Sequence, residues 1–479
     1  MSFFYAPKQF DGFDHRMAIG SGHLHLNGQA PNGNFYSTTS LHCMGVICDP
    51  RTPKATTSEL LKGVHTLDKV SSVLEATYFW GGIYLLFQHT SQTTFVIPDS
   101  GALRPCFYYH HNGFTYLASS AKELIRQLPE KLRPDREETD FFDGPFTQKG
   151  LFTAGRTPWK GLRQLLPNHY LDLRTGIAHR YFPSTTLPSR TMDQVIPLIR
   201  SILEGQWEAL TRQFPVVLPL TAGWDSRVLL ATGRAQVDKI RLMYTIRRPD
   251  TSDRHEDVRI PPKLARLAGR DHTFFIHLSG EDEAELRLLE QHVDSPNPRN
   301  PSMITHIYNS HLAGNLIISG IASETAKRYY GEDKNLSPER LAILSGYGTH
   351  PFAVEAWKEW LEKSSSITEL GYDLLDFFHW EFNVGSSVAR EATEINLSQA
   401  SVYPPFNHKQ LIHILLSVDS KYRDMYNHQL YQEVIEACWP ELMQYPVNPN
   451  LKLAIIRLMK RINMYDLYSD LKRRLLRRK

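Results

Sequence analysis

The chain has 479 residues, 41% of them hydrophobic, more than one ordinary core takes up, so two domains are expected. Its 54 Lys and Arg against 51 Asp and Glu leave a formal charge of +3, a balance that does not call for a nucleic-acid partner. The four cysteines, Cys43, Cys48, Cys106 and Cys438, form no C-x-x-C pair; they indicate neither a disulfide framework nor a zinc knuckle and suit a reducing, cytoplasmic setting.

The start, Met1-Ser-Phe-Phe-Tyr-Ala-Pro-Lys8, lacks the basic segment and long apolar core of a signal peptide. No stretch is apolar for long enough to span a bilayer. Short apolar runs broken by Gly, Asn, Asp and Pro fill the first third. Gly81–Phe87, Thr93–Ile97 and Gly113–Ala118 read as strands, Asn112-Gly113 as a hairpin turn, and a helix is expected from about Ser120 through Leu124 and Ile125. The Pro/Ser/Thr-rich segment Phe182–Arg190 reads as a linker. Beyond it Ile196, Ile199, Leu203, Trp207 and Leu210 recur at helical spacing. Strands are then expected at 214–220, Ile240–Ile246 and, as a third, Asn315–Ser319, with a helix around Asp257–Leu267. Strands alternating with helices imply a parallel sheet. From about Ser337 the chain reads as mainly helical. The tail, 451–479, is a basic amphipathic helix candidate; it suits peripheral contact with an anionic membrane surface, or a solvated helix with a disordered end.

The segment richest in chemistry is Thr221-Ala-Gly-Trp-Asp-Ser226, a short turn between two apolar runs. Read as strand, loop and helix, it offers loop amides and a helix N-terminus to an anion, with the Thr221 and Ser226 hydroxyls and the Asp225 carboxylate beside them. Pyrophosphate with Mg²⁺ suits that set, because magnesium takes one or two carboxylates and completes its shell with phosphate oxygens and water. No lysine follows the glycine, so this is not the G-x-x-x-x-G-K-[ST] loop.

Thr221–Ser226 resembles the S-G-G-x-D-S loop of the asparagine synthetase-like family, with Ala222 in place of the first glycine. Further segments follow the family's order. Asp99–Pro105 with Phe107–Tyr109 resembles R-D-x-x-G-x-R-P-L-Y-Y, and Phe114–Leu124 resembles F-A-S-E-x-K-A-L. Gly161–Tyr170 resembles G-I-x-x-L-P-P-G-H, and Tyr403-Pro-Pro-Phe-Asn407 resembles R-x-P-F-L-D. The resemblance implies two domains. Residues 1–185 would form a glutaminase-type αββα sandwich of the Ntn-hydrolase kind. Residues 186–479 would form an α/β parallel-sheet ATP-pyrophosphatase domain with a helical C-terminal part. It implies adenylation of a carboxylate by ATP and attack on the acyl-AMP by ammonia or an amine.

Two departures bear on that implication. Family glutaminases begin with cysteine after Met removal, whereas Ser2 stands here and the nearest cysteine is Cys43, so glutaminase activity is expected to be lost. Gly320-Ile-Ala-Ser-Glu-Thr325 stands for the family's metal-binding G-E-G-x-D-E, read with Ser323 at the Asp position and Glu324 as the remaining carboxylate. The implied roles are magnesium binding by Asp225 and Glu324, and nucleotide binding by Thr221, Ala222, Gly223, Trp224, Asp225, Ser226, Tyr244, Thr245 and Gly320. Asp225, Glu324 and Arg328 would act in catalysis.

Other readings stay open. Lys327 and Arg328, placed on one helix, are phosphate ligands or surface charges; Tyr244 is an adenine neighbour or core. Asp253, Glu256 and Asp257 resemble the family's acidic segment before the helix, or Asp257 simply caps that helix. Lys421 and Arg423 are a late adenylate cation or ordinary surface charge, and His23, His25, His110 and His111 read as strand histidines. The substrates are a small-molecule, peptide or sugar-acid carboxylate and an amine or ammonia donor, with a homodimer left open. The alternatives are intramolecular amide formation of the β-lactam synthetase or peptide-cyclase kind, and a non-catalytic nucleotide-binding scaffold.

Overall fold

A computed structural model describes residues 2–27, 35–64, 69–136, 139–277, 282–296, 302–331, 336–425 and 428–449. The tail at 451–479, read above as a basic helix, lies outside them. No helix among the described residues is long and apolar enough to cross a membrane.

Twelve strands precede residue 181: β1 (Ser2–Ala6), β2 (His15–Ile19), β3 (Gly22–Asn27), β4 (Phe35–Ser37), β5 (Leu41–Cys48), β6 (Gly81–His89), β7 (Thr94–Pro98), β8 (Phe107–His111), β9 (Phe114–Ala118), β10 (Leu162–Gln164), β11 (His169–Asp172) and β12 (Ile177–Arg180). They form two antiparallel sheets, β10-β8-β9-β1-β3-β2 and β12-β11-β7-β6-β5-β4. Side-chain alternation decides how the sheets stack. Phe3, Tyr5, Leu24 and Leu117 of the first sheet share a core with Met44, Leu85, Phe87, Val96 and Leu171 of the second. The outer face of the second sheet, through Cys43, Tyr84, Leu86 and Ile97, meets Leu61 and Val73 of helices Thr57–Val64 and Val70–Thr77. The outer face of the first, through Phe4, Ala6 and Tyr116, meets helical Leu124, Phe141 and Phe146. The layers are therefore helix, sheet, sheet, helix. The Asn112-Gly113 turn joins β8 to β9 with both residues at positive φ, 50° and 76°, as a two-residue hairpin requires. Ser120 caps the next helix by accepting from Glu123 N at 3.0 Å.

The later strands are β13 (Val216–Pro219), β14 (Ile240–Arg247), β15 (His272–Ile276), β16 (Leu316–Ile318) and β17 (Ser401–Tyr403). All their pairings are parallel, in the order β15-β14-β13-β16-β17. Val216, Leu218, Ile240 and Leu316 face the helices Met192–Gln213, Trp224–Thr232 and Gln429–Cys438. Val217, Tyr244 and Ile317 face the opposite helical layer. Two of these strands escape the pattern analysis, so the run at 315–319 is the fourth strand and not the third. β15 is an edge strand with no residue fully buried, and β17 is three residues long and stops at Pro404. The helix expected over 257–267 is two short ones, Glu256–Arg259 and Pro261–Leu267, because Pro261 and Pro262 have no N–H to continue the ladder.

The sandwich and the parallel sheet are joined by buried polar groups. Asp99, wholly buried, accepts from the amides of Tyr84, Gly101, Leu103 and Arg104, and from Asn407 Nδ2 at 2.7 Å. Lys409 donates to Asn168 Oδ1 at 2.6 Å and lies over the Trp380 ring, 4.4 Å from its centroid. Asn168 Nδ2 reaches Glu381, which Arg180 and Trp360 also bond.

Burial pushes the Lys409 ammonium down to about 7 from its usual 10.5, against the opposing pull of Glu381 and Asp99. The unfolded chain keeps that proton up to about 10.5, so between the two values it binds more protons than the folded chain. Stability therefore rises with pH in that window. Urea unfolding at pH 7 and 9 should show this rise in the wild type and a flatter response in Lys409→Met; equal responses would place the titration elsewhere. Asp99→Ala should cost about 3 kcal/mol, because it strands several buried donors at once.

Candidate functional site

The strand order reverses between β13 and β16, and in such sheets the loops leaving the carboxyl ends at the reversal open a crevice. Thr221–Ser226 leaves β13 there, and Gly320–Glu324 leaves β16. The two loops touch. A Cβ on Gly320 would lie 2.8 Å from Asp225 Cβ, so glycine is what lets the loops approach this closely.

The β13 loop is tied to itself. Ser226 Oγ accepts from Thr221 N at 3.1 Å and lies 3.0 Å from Thr221 Oγ1, which in turn accepts from Gly223 N at 3.2 Å. Gly223 is the N-cap of helix Trp224–Thr232, so Trp224 and Asp225 occupy its first turn, at the positive end of its dipole. Ala222 N donates to Asp257 Oδ1 at 2.7 Å. A carboxylate thus already rests on a loop amide, which supports the reading of this loop as an anion cradle. The helix-cap reading of Asp257 gives way, since His255 is the N-cap there and its side chain accepts from Asp257 N. Asp253 pairs instead with Arg247 at 2.7 Å.

The β16 loop brings carboxylate and cation. Its six residues, Gly320–Thr325, are equal in number to those of G-E-G-x-D-E, and Ala322 has a left-handed backbone at φ 69°. The Asp position therefore falls on Glu324. Counted residue for residue, that position is Glu324 and not Ser323, which is wholly buried. Glu324 Oε2 is buried with no hydrogen-bond partner among the described residues. Burial, then the nearby Asp225 charge, raise the Glu324 carboxyl above its usual range, while Lys327 opposes them. Lys327 and Arg328 do not share a helix: the turn Ser323–Ala326 ends first, and Lys327 is extended. Lys327 Nζ sits 2.7 Å from Asp225 Oδ1 and 2.8 Å from Oδ2, only 12% exposed. Arg328 donates to Ser420 Oγ at 2.7 Å and lies 3.5 Å from Asp373.

Tyr244 is wholly buried against Phe275, and its carbonyl accepts from Leu220 N. The Thr245 hydroxyl lies 2.5 Å from Leu220 O and 2.8 Å from His272 Nε2. The Tyr244 ring thus packs toward β15, while the Thr245 hydroxyl ties β14 to the end of β13. Lys421 is an exposed partner of Asp419, whereas Arg423 is buried against Asp376 at 2.8 Å and its carbonyl accepts from Arg328 N. His25 is internally bonded, to Phe4 O and from Phe10 N.

Several neighbours carry no sequence signal. His428, wholly buried and stacked on Tyr431 at 4.1 Å, has neither ring nitrogen hydrogen-bonded among the described residues. His379, also buried, stacks on the exposed Tyr329 ring at 4.6 Å, and burial followed by the Lys327 charge pushes it down to about 3. Arg227, fully buried, donates to the carbonyls of Leu442, Tyr445 and Pro446. These residues reach the site from helices or the late chain, where no local pattern marks them.

Against a magnesium ion, Asp225 and Glu324 fit in donor type: two carboxylates from adjacent strand ends, each with a buried oxygen that accepts no hydrogen bond among the described residues, Asp225 Oδ1 having only the ion-pair contact with Lys327. Among the described residues no group of three or more His, Cys, Asp or Glu is placed to hold a metal, so phosphate oxygens would have to supply the remaining ligands.

No protein-family model matches the chain, and no curated protein matches it. Two solved structures overlap it in part. One, titled as the allosteric regulatory enzyme of purine biosynthesis, is 15% identical, with 42% of this chain and 47% of that chain covered and a TM-score of 0.21. The other, glutamine phosphoribosylpyrophosphate amidotransferase from B. subtilis complexed with ADP and GMP, is 13% identical, with 56% of each chain covered and a TM-score of 0.21. The chain thus spans about half the length of each, and at that score neither overlap bears on the site.

The contact between the loops is testable alone. Gly320→Ala should lower stability by about 1–3 kcal/mol in urea unfolding, because the new methyl overpacks Asp225. Asp225→Gly in the same chain should recover part of the loss; purely additive effects would show that the methyl finds room elsewhere.

Proposed function

We propose that the protein is an ATP-dependent ligase of the asparagine synthetase-like kind, which activates a carboxylate as acyl-AMP and passes it to an amine or ammonia. The observation that carries the reading is the Thr221–Ser226 loop at the sheet's reversal point, facing Gly320–Glu324. In this reading the amides and hydroxyls of Thr221, Gly223 and Ser226 hold the pyrophosphate portion of ATP. Asp225 and Glu324 would hold magnesium, which supplies charge neutralisation for the departing pyrophosphate. A substrate carboxylate oxygen attacks the α-phosphorus, the bond to the β-phosphate oxygen breaks, and pyrophosphate leaves. The amine then attacks the acyl carbon, AMP departs with the bonding pair, and the amine's extra proton is lost to solvent or a base. Arg328 flanks this crevice but is held by Asp373 and Ser420, so its part is to fix the loop and add positive potential. In this reading residues 1–185 would serve as a scaffold, with serine and not cysteine at the head of β1.

The test is ATP–pyrophosphate exchange with Mg²⁺ across a panel of carboxylic acids. Exchange should depend on one acid, vanish in Asp225→Ala and fall about a hundredfold in Glu324→Gln. ATP that binds but exchanges with no acid would favour the nucleotide-binding scaffold.

A further inference from the structure

We propose that Lys327 is a resident counter-cation that closes Asp225 to free divalent metal, so that metal enters the crevice only together with a polyphosphate, which takes the ammonium over. The inference rests on the ligase reading for the identity of the polyphosphate, and on geometry alone for the role of the lysine.

Lys327 Nζ contacts both oxygens of the Asp225 carboxylate, at 2.7 and 2.8 Å. That is the edge a divalent ion would need. Lys327 lies three residues beyond Glu324, so its ammonium belongs to the loop that carries the second carboxylate. It is nearly enclosed, and its surroundings hold it there. The Tyr431 ring lies 6.0 Å away, and that tyrosine's hydroxyl donates to Ser323 O, which ties the wall to the same loop. A cation bound between Asp225 and Glu324 would meet this ammonium at close range, and like charges at such separation repel by several kcal/mol even at moderate screening.

A polyphosphate changes the balance. Its oxygens offer the ammonium an anionic partner and offer the metal the ligands that two carboxylates lack. The cradle shows the matching arrangement on its other side, where the Asp257 carboxylate rests on Ala222 N. The crevice therefore holds an internal ammonium at its carboxylate and an internal carboxylate at its anion-binding amide. Both contacts would be exchanged when a metal–polyphosphate enters.

The experiment is Mn²⁺ binding to the nucleotide-free protein, followed by electron paramagnetic resonance of the free ion, with no turnover required. Wild type should bind Mn²⁺ weakly. Lys327→Gln and Lys327→Met should each bind it at least about tenfold more tightly, the loss of one nearby positive charge at partial exposure. Lys327→Arg should stay near wild type, and Asp225→Asn added to Lys327→Gln should abolish the gain. Unchanged affinity in a neutral variant whose circular dichroism and melting match wild type would overturn the proposal, as would tight Mn²⁺ binding by the wild type. Two neutral variants guard against one that fails to fold. A protein that shows this pattern but no ATP–pyrophosphate exchange would refute the ligase reading and leave the role of Lys327 standing.

Discussion

The adjacency of β13 and β16 is the constraint on which the rest depends. It brings together loops whose key residues, Asp225 and Lys327, are 102 positions apart in sequence. Parallel strands cannot be joined by a tight turn, so every strand here returns through a crossover. The order β15-β14-β13-β16-β17 sends the crossovers outward on both sides of one gap, and the gap is where backbone amides and carboxylates are left facing each other. Gly320 then sets how narrow that gap is.

Charge within the gap is arranged in pairs. Asp225 faces Lys327, Arg328 faces Asp373, and Arg423 faces Asp376. Glu324 is the exception, with one buried oxygen that no described group bonds and a carboxyl raised by burial. An unbonded buried carboxylate oxygen is costly in a folded protein. The Lys327 charge also reaches His428, neither of whose buried ring nitrogens is bonded among the described residues, and His379, whose Nε2 is not.

Much of this was legible in the sequence. The Asn112-Gly113 hairpin, the cap at Ser120, the strand at 240–246 and the position of the 221–226 loop follow from local rules: turn residues, capping oxygens and apolar runs bounded by breakers. What local rules miss has a physical cause in each case. β15 is a five-residue edge run, His-Thr-Phe-Phe-Ile, with no alternation to mark it, and β17 is too short to show any. The break at 260–261 turns on two prolines inside an otherwise helical pattern. The partners Asp373, Asp376, His379 and His428 come from helices whose pattern reports only burial. Their convergence is a property of the tertiary fold, and no spacing encodes it.

Arg227 has a consequence for how the protein is made. Its buried guanidinium, pushed down to about 10 by burial, donates to three carbonyls between residues 442 and 446, and the amide of Asn448 donates to Ala222 O. The loop at 221–226 is therefore seated on chain that is synthesised more than two hundred residues later. During translation the strand behind that loop has its sequence long before the loop has its floor, and an unmatched buried arginine is expensive to leave waiting. A nascent chain that has not yet released residue 448 thus carries the 221–226 segment without these contacts.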